Sequence, residues 1–275
     1  MTIARGSLVL ALIAALLAPL GARAYPGGTP EYQTDVAPFC ASCHSSVDAA
    51  SMAGAPAERA NKELAANKHL AQIKAGAANT GYQTMSEVDR NLLAQQIEAL
   101  DKASTVEIVA PATLNPGQKF RVEVIVHGGG GPVAGVGLVD VDQRWFARPA
   151  SSAGWSIVDA PEIRGADGKQ QTKWIEKRPA SLGRNISYVN VEGVSSDIAN
   201  AAFPSAQVIY TLTAPQTPGT YPLTAAYFYG TELASPLGTR IDPKDPLQRK
   251  MPVGGFTGAS GRVRFSPVKQ IQVAP

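Results

Sequence analysis

Between Leu100 and Thr105 the spacing of apolar residues changes from a period of about 3.6 to a period of 2, which predicts two kinds of structure in one chain. Before the change, Leu93, Ile97 and Leu100 recur at i, i+4 and i+7, one apolar face of a helix. Ser86 stands at its start as N-cap, with Asp89 three residues on and Glu87 in the positive first turn. A second helical pattern covers residues 57–75, with Ala66, Leu70 and Ile73 on one face and Gly76 as its stop. After the change, Thr105–Val109 reads as a strand and Asn115-Pro116-Gly117 as a turn. Phe120, Val122, Val124 and Val126 alternate with Arg121, Glu123, Ile125 and His127, a strand with one strongly apolar face. Gly128 to Gly131 interrupt it, and residues 133–141 read as the return strand. Residues 206–213, 221–229 and 262–273 make three more, punctuated by Pro215, Pro218-Gly219 and Pro236. Short strands without a helical period between them predict an all-β antiparallel sandwich over residues 104–275. Residues 25–102 are expected to form a small all-α domain of their own, so the fold class read here is multi-domain.

Residues 1–24 read as a secretory signal. Arg5 supplies the positive start, residues 8–20 the apolar core, and Ala22-Arg23-Ala24 the cleavage site, so the mature chain is expected to begin at Tyr25. An apolar run of that length is too short to cross a bilayer core of about 30 Å, and no later segment is apolar enough to try. The protein is therefore expected in an exported compartment with no membrane span in the mature chain. Formal net charge is +3, from 25 basic and 22 acidic residues, with no basic run, so nothing in the charge favours a nucleic-acid partner.

The chain has two cysteines and three histidines, and Cys40-Ala41-Ser42-Cys43-His44 brings both cysteines and one histidine into a C-x-x-C-H motif. A redox disulfide would normally open a helix after a buried strand, and no such strand pattern precedes Cys40. A zinc site would need further Cys or His ligands at suitable spacing, and the chain has no other cysteine. The remaining reading is one covalent haem c, with Cys40 and Cys43 bonded to its vinyl groups and His44 as proximal iron ligand.

With this motif in place, residues 25–102 resemble a class I monohaem cytochrome c domain. Phe39-Cys40-Ala41-Ser42-Cys43-His44-Ser45 matches that family's attachment segment, and residues 85–100 match its closing amphipathic helix. The resemblance implies an electron-transfer protein whose sixth iron ligand is a loop methionine. Met85 is the methionine nearest that position, but it directly precedes the N-cap Ser86. His69 lies in the 57–75 helix beside Ala65, Ala66 and Ile73, small and apolar neighbours that let a porphyrin approach. His69 is therefore expected as the distal ligand, with Met85 as the alternative and an open sixth position as a third possibility. Leu114-Asn115-Pro116-Gly117-Gln118-Lys119-Phe120 and Leu212-Thr213-Ala214-Pro215, before Gly219-Thr220-Tyr221, give the second part a loose resemblance to Ig-like and reeler-like β-domains.

The expected function is thus that of a periplasmic c-type cytochrome moving one electron at a time, with the β-domain positioning the haem against a redox protein partner. Two alternatives stay open: a haem enzyme or sensor with an open sixth site, and a secreted structural or interaction protein. Trp145, Phe146, Trp155 and Trp174 are expected to fill the sandwich core rather than to line a docking face. His127 has no cluster of potential ligands near it in sequence, and Asp140 and Asp142 read as solvent-facing or turn residues.

Overall fold

The structure is a computed structural model that describes residues 44–241, 244, 246–248, 250–252 and 261–275. The expected signal and both cysteines lie outside the described residues. The first part carries a two-residue strand β1 (Ser45–Ser46) and the helices α1 (Ala57–Glu63), α2 (Ala71–Ala75) and α3 (Glu87–Ala103). Strands then dominate: β2 (Thr105–Val109), β3 (Thr113–Leu114), β4 (Lys119–His127), β5 (Gly130–Val139), β6 (Ser156–Ile157), β7 (Glu162–Arg164) and β8 (Gln170–Gln171). A single helical turn α4 (Lys173–Lys177) precedes β9 (Tyr188–Glu192), β10 (Ser205–Thr213), β11 (Gly219–Gly230), β12 (Thr239–Ile241), β13 (Lys250–Pro252), β14 (Gly261–Phe265) and β15 (Lys269–Val273).

The alternation in β4 decides its register. Phe120, Val122, Val124 and Val126 are all buried, and a one-residue slip would send them to solvent. β4 lies between β2 and β10, pairing antiparallel with both, from Ser205 opposite His127 to Thr213 opposite Lys119. β7, β8 and β6 complete this sheet. The second sheet is built on β11, which pairs with β15 along its first half and lies between β14 and β5 along its second. β9 extends it beyond β5, β3 runs parallel to β15, and β12 and β13 form a separate ribbon. Val122, Val124, Val208 and Tyr210 from one sheet meet Val136, Val189, Leu223 and Tyr227 from the other in one apolar core. Ala226 and Phe228 of β11 point the opposite way and pack with Val139, Ala147, Tyr188 and Val263. From Leu223 onward β11 is thus buried on both faces, which is why the sequence over 225–229 reads as a continuous apolar run rather than an alternation.

The helices belong to this sandwich. β1 pairs in parallel with β14, Ser45 opposite Arg262 and Ser46 opposite Val263, so the first described segment forms an edge strand of the second sheet. Asp101, in the last turn of α3, accepts a 2.8 Å bond from Nε of Arg262, whose side chain is wholly buried, and a 2.9 Å bond from the Tyr229 hydroxyl. The expected multi-domain class, an all-α domain followed by a sandwich, is therefore corrected. The described chain is mostly β, with two main sheets and a few short helices fastened to them by a shared strand and a buried ion pair.

Two local expectations change for physical reasons. The single helix expected over 57–75 breaks at Leu64, which is extended (φ −67°, ψ 140°) because the edge of β1 competes for its backbone. Ala65 N–H donates to the Ser46 carbonyl at 2.8 Å, and a π turn, Ala66–Leu70, follows, in which Leu70 N–H reaches back to Ala65 O. Ala65 is buried where Ala66 was expected, while Leu70 and Ile73 are buried as read, and Gly76 ends the segment in the left-handed region at φ 62°. The strand expected over 262–273 is two strands, because Pro267 cannot donate to a ladder and Ser266 turns to hydrogen-bond Ala225 instead. The α3 helix begins as read, with Ser86 Oγ accepting from Asp89 N–H at 3.1 Å and Leu93, Ile97 and Leu100 fully buried.

Removing Asp101 would leave Arg262 buried without its carboxylate. Asp101→Ala should therefore cost about 3–5 kcal/mol in chemical denaturation, against about 1 kcal/mol or less for the exposed pair partner Glu98→Ala. Equal, small losses for both would show that the buried pair does not hold the helix to the sheet.

Candidate functional site

His44 occupies the point where the chain steps into β1. The parallel pairing of Ser45 with Arg262 brings the backbone of β14 beside the imidazole, and His44 Nδ1 lies 3.0 Å from the Arg262 carbonyl oxygen. A carbonyl only accepts, so the proton of this bond belongs to Nδ1, and in the neutral ring the lone pair is on Nε2. The Phe228 ring meets the imidazole edge-on, 5.7 Å between centroids at 90°. Burial pushes the His44 pKa down to about 4, against the opposing pull of its bond to Arg262, and the positive charges of Arg144, Arg262 and Lys68 add to the depression. At neutral pH His44 is an uncharged imidazole, the form that binds metals. Cys40 and Cys43, expected to hold the haem, precede it outside the described residues.

His69 sits in the π turn and is equally buried, but its partners differ. Its Nε2 is 2.8 Å from Glu232 Oε1 and 2.9 Å from the Tyr82 hydroxyl oxygen. Tyr82 itself donates to Glu232 Oε1 at 2.6 Å, and Thr231 donates to Oε2 at 2.6 Å. Burial alone would raise the Glu232 carboxyl, but His69, Thr231 and Tyr82 together outweigh it and hold the group far below the usual carboxylate range. The ionised carboxylate only accepts, so Nε2 of His69 carries a proton, and the ring as folded has only Nδ1 to offer a metal, a buried atom without a hydrogen-bond partner among the described residues. Met85 is half-buried against the cluster of Leu70, Ile73, Tyr82, Leu93, Ala94 and Ile97. Arg90, too polar to pack on Met85 at the helix start, instead donates to its carbonyl at 2.8 Å.

The aromatic residues separate. Trp155 fills the sandwich core against Phe120 and donates to the Pro222 carbonyl. Trp174, on α4, is buried with the ammonium groups of Lys173 and Lys177 over its ring. Trp145 lies beneath the Arg59 guanidinium, 4.2 Å from its centroid, and Phe146 is largely exposed. His127 Nδ1 pairs with Ser205 Oγ at 2.8 Å, and Asp140 Oδ1 closes a turn by accepting from Val141 and Arg148 N–H groups. Among the described residues no group of three or more His, Cys, Asp or Glu side chains is placed to hold a metal ion, and no helix is long and apolar enough to cross a membrane.

No family model and no curated protein matches the chain. Solved structures similar to it include the CARDB domain of a Pyrococcus furiosus protein in complex with di-metal ions, at 13% identity and a TM-score of 0.21, over 60% of this chain and 85% of that one. A TM-score that low carries no argument about function, and the sandwich is established by the strand pairing. The resemblance of residues 25–102 to a class I monohaem cytochrome c domain is corrected on both counts. No family match supports it, and the helices that suggested it lie on a β-sandwich that shares a strand with them.

The His44 imidazole has a sign-definite consequence for stability. Its folded pKa of about 4 lies below the unfolded value of 6.5, so between these values the unfolded chain binds more protons. The polypeptide should lose about 3 kcal/mol as pH falls from about 6.5 to about 4. Glu232, also depressed, gives way only at lower pH. Urea denaturation across that window should show the fall, and His44→Ala should flatten it. An unchanged slope in that variant would mean that His44 is not buried uncharged.

Proposed function

We propose that this chain is an exported, periplasmic carrier of one covalent haem, attached through Cys40 and Cys43, with His44 as iron ligand, and that it transfers single electrons to or from a redox protein. The observation that carries the reading is the His44–Arg262 hydrogen bond. A metal-ligating histidine characteristically donates its other ring N–H to a carbonyl or carboxylate, which fixes the tautomer and the ring direction. His44 meets that requirement, is uncharged at neutral pH, and directly follows the two thiols of the C-x-x-C-H motif. When bound, a haem supplies a one-electron couple at its iron. The chain's own contribution is to present Nε2, to hold the ring with the Arg262 carbonyl and the Phe228 edge, and to seat His44 where the chain enters a sheet edge. The signal read in residues 1–24 supports export to a compartment where haem is attached covalently.

A second reading follows from His69. Its Nε2 donates to Glu232 and its backbone is fixed in the π turn, which favours a haem whose sixth position takes a small molecule, as in a sensor or haem enzyme. Carbon monoxide added to the reduced protein separates the two. Rapid binding supports the sensor, and no binding supports the electron carrier.

Denatured full-length protein exported from a host with a haem-attachment system should stain for haem peroxidase activity on a gel. Replacing Cys40 and Cys43 together by Ala should abolish the stain. No stain in the wild-type chain, or a stain that survives in the double variant, overturns covalent attachment.

A further inference from the structure

We propose that Gly261 is a positioning residue for His44: the missing side chain at the start of β14 makes the slot that orients the imidazole, and through it the iron bond. The inference rests on the haem reading for its functional meaning and on the structure for its geometry. A Cβ built on Gly261 would fall inside the van der Waals envelope of the His44 ring, and its three nearest atoms are Nδ1, Cε1 and Cγ of that ring. The Gly261 backbone is not in the left-handed region, so an L side chain is acceptable to the backbone there and the imidazole is what it would meet.

Four walls of the slot lie among the described residues. The Gly261 α-carbon closes one side, and the Arg262 carbonyl takes the Nδ1 proton. Phe228 stands edge-on to the ring. The fourth wall is the β1–β14 pairing itself, in which Ser45 Oγ donates to the Gly261 carbonyl at 3.3 Å and receives from Arg262 Nη1 at 2.9 Å. These contacts leave the ring little freedom to turn about its χ angles. The hydrogen bond would also strengthen the imidazole as a donor to a bound iron, since a proton shared with a carbonyl leaves more electron density on Nε2. A methyl group at position 261 would therefore act on the iron by displacing the ring and lengthening the bond to the Arg262 carbonyl. It would change neither the cysteines nor the histidine.

The test uses the full exported chain and compares wild type with Gly261→Ala, with Gly219→Ala as control, where a Cβ meets Tyr221 at an ordinary 3.4 Å. Two readouts are taken: the absorption spectrum and midpoint potential of the haem-loaded protein, and the NMR resonance of the His44 Nδ1 proton. Gly261→Ala should keep its haem through a denaturing gel yet show shifted absorption bands and a raised midpoint potential, with the protected Nδ1–H resonance lost. Gly219→Ala should match wild type in both. A Gly261→Ala protein with haem, wild-type spectrum and an intact resonance overturns the positioning role. If the wild type carries no haem but the resonance is present and lost in Gly261→Ala, the slot stands and the haem reading falls. Should Gly261→Ala fail to fold, the wild-type resonance decides: protection from exchange upholds the slot, and exchange at the rate of solvent overturns it.

Discussion

A guanidinium buried in a protein interior must be matched, and Arg262 is matched by residues drawn from both parts of the chain. Its Nε meets Asp101 at the end of α3 and its Nη1 meets Ser45 in β1, while its own backbone belongs to β14. Taking such a charge out of water costs several kcal/mol before any partner is counted, so the arginine, the helix and the edge strand are stable only together. Arg144 repeats the arrangement at another point. Its side chain is also wholly buried and meets Glu63 at the end of α1, while its backbone N–H donates to Ser51. Lys68 shares the same Glu63 carboxylate at 2.6 Å. Helices held this way are part of the sheet's electrostatics and cannot be lifted off as a unit.

What could be read in the sequence was what short-range physics controls. The β4 alternation, the Ser86 cap and the Gly76 stop each depend on a few adjacent residues, and each stands where it was read. The parts that escaped depend on partners far along the chain. β1 is two serines, with no strand signal of their own, and it exists because β14 offers an edge. The Leu64 break exists because β1 then offers its other edge. Glu232 follows β11 in a stretch without any recognisable motif. One signal was available. An acid in the last turn of a helix opposes the helix dipole, and Asp101 in that place implied a buried cation to justify it.

The two buried histidines show how little a residue type says about its chemistry. Both are almost fully enclosed. His44 faces a carbonyl and so carries its proton on Nδ1, whereas His69 faces a carboxylate with Nε2 and so carries one there. The partner chooses the nitrogen, and the nitrogen chooses whether the ring presents its outer lone pair. Neither partner, Arg262 nor Glu232, lies within 150 residues of the histidine it governs.

The pairing of Ser45 with Arg262 also imposes an order on the life of the chain. The ribosome makes His44 long before β14, so the strand that seizes its imidazole is missing while the chain between them is synthesised. During that interval His44 lacks the Arg262 carbonyl that later takes its proton. Arrival of β14 closes the interval. Ser45 and Ser46 then join the edge of a sheet, and His44 becomes almost fully enclosed. A contact between residues 218 positions apart thus works as a clock, separating a period in which His44 is open from one in which it is enclosed.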